Sequence, residues 1–205
     1  MKSNAMTVKR RTQAQRSAAT REALLTAARP RFAADGFRGV SADAIAKAAG
    51  VTRGAMYHQF EDKTDLFAAV FEAVEAEVMG QIAAAVADSG ETDPVELMKL
   101  GARAWLDACA EPAVHRIILV EAPSVLGWER WREVGLKYGM GLVHGMLQGA
   151  IDSGRIPDQP VVPLAHVMIG ALDEAALFLA RSDGSAATRQ AVDDIVDRLV
   201  DSLTA

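Results

Sequence analysis

Between Ser41 and Phe60 two short helical patterns meet at a single glycine, and few arrangements satisfy every residue there. Ser41 is a good N-cap for a helix that ends at Gly50. Thr52 opens a second helix that stops near Gln59 or Phe60. Ala42, Ala46 and Ala49 are small enough to let a partner helix cross closely, and Ile45 and Val51 plug the angle between the two. Gly50 supplies a left-handed turn at no steric cost. Met56 and Phe60, four apart, face a core together. Thr52, Arg53, Ala55, Tyr57, His58 and Gln59 then remain for the outer face of the second helix. A tight αα-corner accounts for the alanines and Gly50. It does not account for an Arg, Tyr, His and Gln set on the one helix whose opposite face is buried. Such a helix, held at a fixed angle by its partner, suits the major groove of DNA. There Arg53 can pair bidentately with guanine, Gln59 can read adenine, and Tyr57 and His58 can reach phosphates or base edges.

The rest of the chain keeps the helical period and shows no strand-like alternation and no internal repeat. A first helix is expected over about residues 16–35, with Leu24, Leu25, Ala27, Ala28, Phe32 and Ala33 as its apolar stripe and Gly36 as its end. Pro30 inside it predicts a kink or a fresh start. Asp62 caps a long helix over 63–88. After the break at 89–94, Pro94 opens a helix reaching about Ala110. Another begins at Glu111-Pro112 and is expected to be interrupted at Ala122-Pro123. A long helix follows to Ser153, then a proline-containing loop over 154–163. Two last helices are expected over about 164–182 and 188–203. The expected fold class is all-α, with about nine helices. Residues 1–15 read as a tag scar (Met1 to Ala5) and a flexible basic arm. Residues 16–70 read as a helix-turn-helix DNA-binding domain and 71–205 as a ligand-binding and dimerisation domain, the two sharing the fourth helix.

Charge supports that division. The chain has 205 residues and a formal net charge of -5. Residues 1–70 carry 12 Lys+Arg against 6 Asp+Glu, whereas 71–205 carry 10 against 21. A basic front can meet a polyanion that the acidic back repels. Lys9, Arg10 and Arg11, with Arg16, make either an arm for the minor groove or a tail that adds only long-range attraction. The lone Cys109 excludes a disulfide framework within the chain. No unbroken apolar run reaches the ~18 residues of a membrane span, and no apolar segment follows the basic start as in a secretory signal. The expectation is a cytoplasmic protein with no membrane partner. His115, His144, His166 and Glu121 match no metal-ligand spacing, and no nucleophile elbow, phosphate loop or acid–base pair is evident. No cofactor is expected. An enzyme or a helical adaptor is a minor alternative.

Residues from about Thr20 to Val74 resemble the DNA-binding domain of the tetracycline-repressor-type (TetR/AcrR) family. The pieces that carry the resemblance are Ala27-Ala28, Phe32-Ala33 and Gly36-Phe37; Ala44 to Val51; Gly54 to Phe60; and Lys63 to Leu66. The resemblance implies a recognition helix over Thr52 to Gln59, with Thr52, Arg53 and Ala55 facing the groove. It implies phosphate contacts for Tyr57, Lys63 and Ser41, and close backbone approach at Gly54. Pro30 departs from the usual first helix. It also implies a larger helical domain for effector and dimer, and the stretch Arg116 to Trp131 resembles parts of some such domains.

In that domain Gly141, Gly145 and Gly149 share a helix face with Gly135 and Gly139 nearby. Such a face suits close packing or a ligand, and close packing is favoured. Met98, Trp105, Cys109, Tyr138, Met140, His144, Leu147, Met168 and Phe178 are the candidate pocket residues. The last two helices carry wide apolar faces. Leu164, Val167, Met168, Ala171, Ala175, Phe178 and Leu179 form one; Val192, Ile195, Val196, Leu199 and Leu203 form the other. They are the expected homodimer contact, which makes the expected operator a palindrome in double-stranded DNA. The function expected is a repressor released by a small apolar or amphipathic effector, with an activator as the alternative.

Overall fold

The computed structural model describes residues 12–204; the tag-like start and Lys9, Arg10 and Arg11 lie outside them. Helix α1 (Gln13–Gly39) begins earlier than the periodicity predicts because Thr12 and Gln15 form a reciprocal capping box. Arg16 therefore sits in the first turn of a helix and not in an arm. The helix continues through Pro30 without a non-helical residue, so the predicted restart does not occur. Gly36, at φ 71°, supplies the break, and one more turn follows it.

Helices α2 (Ala42–Ala48) and α3 (Arg53–Gln59) start on Ser41 and Thr52, whose hydroxyls accept the Ala44 and Ala55 N–H groups. Both pack on α1 and on each other around fully buried Phe32, Ile45, Met56 and Phe60. Asp62 caps the 26-residue helix α4 (Lys63–Asp88) by accepting the Asp65 N–H at 2.8 Å. Rings of Phe32 and Phe37 meet that of Phe67 nearly edge-on at 5.1 and 5.6 Å, which locks α4 to α1.

The remaining helices build a second bundle on the far half of α4. They are α5 (Pro94–Ala110), α6 (Pro112–Val114), α7 (Ala122–Leu126), α8 (Trp128–Asp152), α9 (Val161–Arg181) and α10 (Ala186–Asp201). Helix α4 packs against α5 and α8, α9 packs against α5 and α8, and α10 closes on α5 and α9. Among the described residues no strand forms. One apolar core runs from Leu24 along α4 to Val196, and a smaller one surrounds Leu147, Ala165 and Val200.

Two further predicted boundaries change. The chain is not interrupted at Ala122-Pro123. It widens into a π-helical stretch, His115–Glu121, whose exit bond runs from the Ala122 N–H to the Ile117 carbonyl. Pro123 then falls in the first turn of α7, where its missing N–H is tolerated. Pro163 likewise sits in the first turn of α9 and does not delay it. By length and composition α9 could cross a membrane, with a mean hydropathy of 1.6. No unbroken apolar run marks it in the sequence, because Asp173 and Glu174 interrupt the helix.

Candidate nucleic-acid interface and internal cavity

Helix α3 buries Met56 and turns its other side outward. Thr52, Arg53, Gly54, Tyr57 and His58 are exposed, with Ala55 half-buried beneath them and exposed Ser41 beside them at the start of α2. The Arg53 guanidinium lies 3.1 Å from Asp43 on α2 and 5.5 Å above the Tyr57 ring. Both members of the pair are well exposed, so the bond is weak and an incoming phosphate or base can displace it. At Gly54 only the Thr52 hydroxyl lies within reach of an added Cβ, at 3.9 Å.

Two expected DNA contacts are engaged inside the protein. Gln59 donates from Nε2 to the Ser17 hydroxyl at 2.9 Å, which ties α3 to α1. Lys63 donates from Nζ to the carbonyls of Phe37 and Val40 at 2.8 and 2.9 Å and sits 4.1 Å above the Phe37 ring. An ammonium has three N–H donors, so one remains for a phosphate. Lys63 thus joins the C-terminal end of α1 to the start of α4.

The second bundle holds a partly open apolar cavity of about 80 Å³ between α4, α5, α8 and α9. Met79, Ile82, Met98, Leu142, Met146 and Met168 form much of its wall. Gly135 and Gly139 of α8 also line it, and a Cβ at Gly139 would approach Met79 Sδ at 3.7 Å. Glu75 and Asp173 stand at the wall with Trp105. Burial pushes the Glu75 carboxyl up to about 7, with help from Asp173 nearby. Burial also raises Asp173, to about 6, against the pull of Arg132, which donates to it at 2.6 Å. The Cys109 thiol is pushed up by burial and is unreactive there.

Two features connect cavity and DNA face. Helix α4 carries Lys63 at one end and Glu75, Met79 and Ile82 further along, about 18 Å on for Glu75 at 1.5 Å per residue. On the same face of α4, one turn before Glu75, Glu72 accepts from Arg130 at 2.7 Å and Lys137 at 3.0 Å, which fastens α4 to α8. The second feature is the π-helical stretch. Arg116 and Glu121 pair at 3.4 Å across it, and both side chains press on buried Gly36 of α1, where any Cβ would collide with them.

Comparison with known proteins agrees with this architecture. The model of the tetracyclin repressor-like C-terminal domain matches residues 95–203, and that of the bacterial regulatory proteins of the tetR family matches 24–70. The chain belongs to the TetR family of transcriptional regulators. A TetR-family regulator from Pectobacterium atrosepticum has 31% identity and a TM-score of 0.81, over 95% of this chain and 98% of that one. The front end is similar to the transcriptional regulator AcrR of Shigella flexneri, 46% identical over 59 residues. It is also similar to the transcriptional repressor BepR of Brucella suis, 49% identical over 61 residues. These stretches cover 29% and 30% of this chain and only 27% and 29% of those relatives.

In this TetR-family regulator the nine predicted pocket residues divide. Met98, Trp105, Leu147 and Met168 line the cavity. Cys109, Tyr138, Met140, His144 and Phe178 do not. Cys109 faces a separate surface hollow with His115, Tyr138 leans on Glu72 at 3.5 Å, and Phe178 is 53% exposed. The favoured close packing of Gly141, Gly145 and Gly149 does not occur within the chain: all three are exposed, with open space where a Cβ would be. Gly135 and Gly139, which the regular spacing passed over, line the cavity. Glu75 and Asp173 were missed because acidic residues in amphipathic helices usually face water. Among the described residues no three of His, Cys, Asp and Glu gather as a metal site.

Proposed function

We propose that this chain is an effector-controlled repressor of the cytoplasm, with residues 16–70 reading an operator and 71–205 sensing and dimerising. Thr52, Arg53, Gly54, Ala55, Tyr57 and His58 meet the DNA, with Ser41 and Lys63 on flanking phosphates and Gln59 holding the recognition helix in place. A dimer formed through α9 and α10 presents two such helices to a palindromic operator. The exposed apolar side chains on these helices support that reading: Val167 is 64%, Phe178 53% and Ile195 57% exposed, while Met168, Val192 and Val196 serve the chain's own core.

The observation that carries the proposal is the shared helix. Because α4 carries both Lys63 and part of the cavity wall, a molecule that moves α4 relative to α8 also moves the recognition helix. An effector acts in this way only if it binds the DNA-bound form less well than the free form. The test is selection of an operator from random duplexes by the full chain, followed by titration of candidate effectors against the complex. Selection should yield a palindrome, and an effector should lower affinity in the parent protein but not in Gly139→Leu, whose cavity is filled. Recovery of no selective duplex would overturn the regulatory assignment.

A further inference from the structure

The cavity is not uniform. Most of its wall is methionine and aliphatic, but Glu75, Asp173 and Trp105 meet at one end and also line a recess of about 10 Å³ beside it. That recess is about one water-sized position. Glu75 is only 3% exposed, and its Oε2 has no hydrogen-bond partner; nor has the Trp105 Nε1. Asp173 is different, since Arg132 already serves it. The polar end therefore holds one acceptor and one donor that the protein leaves unmatched, which is costly in so apolar a site.

We propose that the effector is a compact neutral ring compound bearing a hydroxyl, its ring in the methionine-lined cavity and its hydroxyl between Glu75 and Trp105. The proposal rests on the reading of this cavity as the effector site. A hydroxyl donates to the carboxyl and accepts from the indole N–H, so it satisfies both groups at once. An ammonium only donates and leaves the indole unmatched. A carboxylate accepts from the indole but meets Glu75 and Asp173. A bare hydrocarbon leaves both groups unmatched. The Glu75 carboxyl, raised to about 7, is about half protonated at pH 7, so its pull on a cation is weaker than that of an ordinary carboxylate. Size points the same way. About 80 Å³ is on the order of six water-sized positions, the bulk of one substituted six-membered ring. The missing side chains of Gly135 and Gly139 make that space, and the surrounding methionines adapt to the ring.

The test is calorimetric titration of the full-length protein with phenol, toluene, benzylammonium and benzoate. Phenol and toluene have nearly the same shape and differ in the hydroxyl. Phenol should bind at least about tenfold more tightly than toluene, as expected for a site with unmatched polar groups. Glu75→Leu and Trp105→Phe should each erase that preference while still binding toluene, which shows that the cavity survives. Gly139→Leu should abolish binding of both. Tighter binding of toluene, benzylammonium or benzoate, blocked by Gly139→Leu, would overturn the hydroxyl assignment and leave the effector site standing. Binding that Gly139→Leu does not affect, or no binding of any of the four, would overturn both.

Discussion

Arg53 and Lys63 are both cations near the DNA face, yet their surroundings give them different work. Arg53 holds only an exposed partner, so Arg53→Ala should change folding stability by less than about 0.5 kcal/mol. Its effect should fall on selectivity, with about 1–3 kcal/mol lost at one operator position. Lys63 satisfies two backbone carbonyls and covers a ring, so Lys63→Ala should also cost about 1–3 kcal/mol of stability. Thermal denaturation and gel shifts on the two variants separate these cases. Glu75 gives a pH prediction. Its carboxyl rises from an ordinary 4.5 to about 7 on folding, so between these values the folded protein binds more protons than the unfolded chain. Stability from this group is therefore lost as pH rises from about 4.5 to 7, by about 3 kcal/mol in all, and stays lost above. Asp173 and Cys109, with Arg132 on Asp173, are the titratable and charged groups around it. Glu75→Gln should remove this dependence. Its advantage over the parent in urea melts should grow from pH 5 to pH 8, and an advantage independent of pH would count against the assignment.

At the scale of elements, caps and glycines set the boundaries. Ser41, Thr52 and Asp62 each begin a helix by accepting an N–H three residues on, and all three were legible as capping residues. Gly36 was legible as a helix end but not as a contact. Its positive φ and the side chains of Arg116 and Glu121 against it make it the point where α1 meets the π-helical stretch. Gly36→Ala should cost on the order of 2 kcal/mol, from the strained backbone and the displaced ion pair. It should also loosen this contact, giving faster hydrogen exchange in residues 115–121 than in α3. The π-helical stretch itself left no trace in the sequence, because an i to i+5 turn uses the same residues as an α-helix and is chosen by packing.

For the whole molecule, the unused apolar surface of α9 and α10 is the main consequence. Replacing Val167 and Phe178 together, as Val167→Asp with Phe178→Glu, changes exposed side chains and should leave helicity intact. It should give a monomer by sedimentation and lose most operator affinity, since each recognition helix would bind alone. A dimer that persists would remove α9 from the interface. What the amino-acid order determined by itself is the local grammar: the helical period, the caps, the left-handed turn at Gly50 and the pairing of one buried with one polar face on α3. These depend on residues three or four apart, so a linear reading recovers them, and from them came the helix-turn-helix and the family. Only the tertiary structure decided which glycines face a cavity, which residues of the two terminal apolar stripes remain exposed, and that Gln59 and Lys63 brace the interface from within. It alone brought Glu75, Trp105 and Asp173, from three different helices, to one buried end of a cavity. Such meetings depend on how helices far apart in the chain cross, and the sequence pattern along any one helix does not record its neighbours.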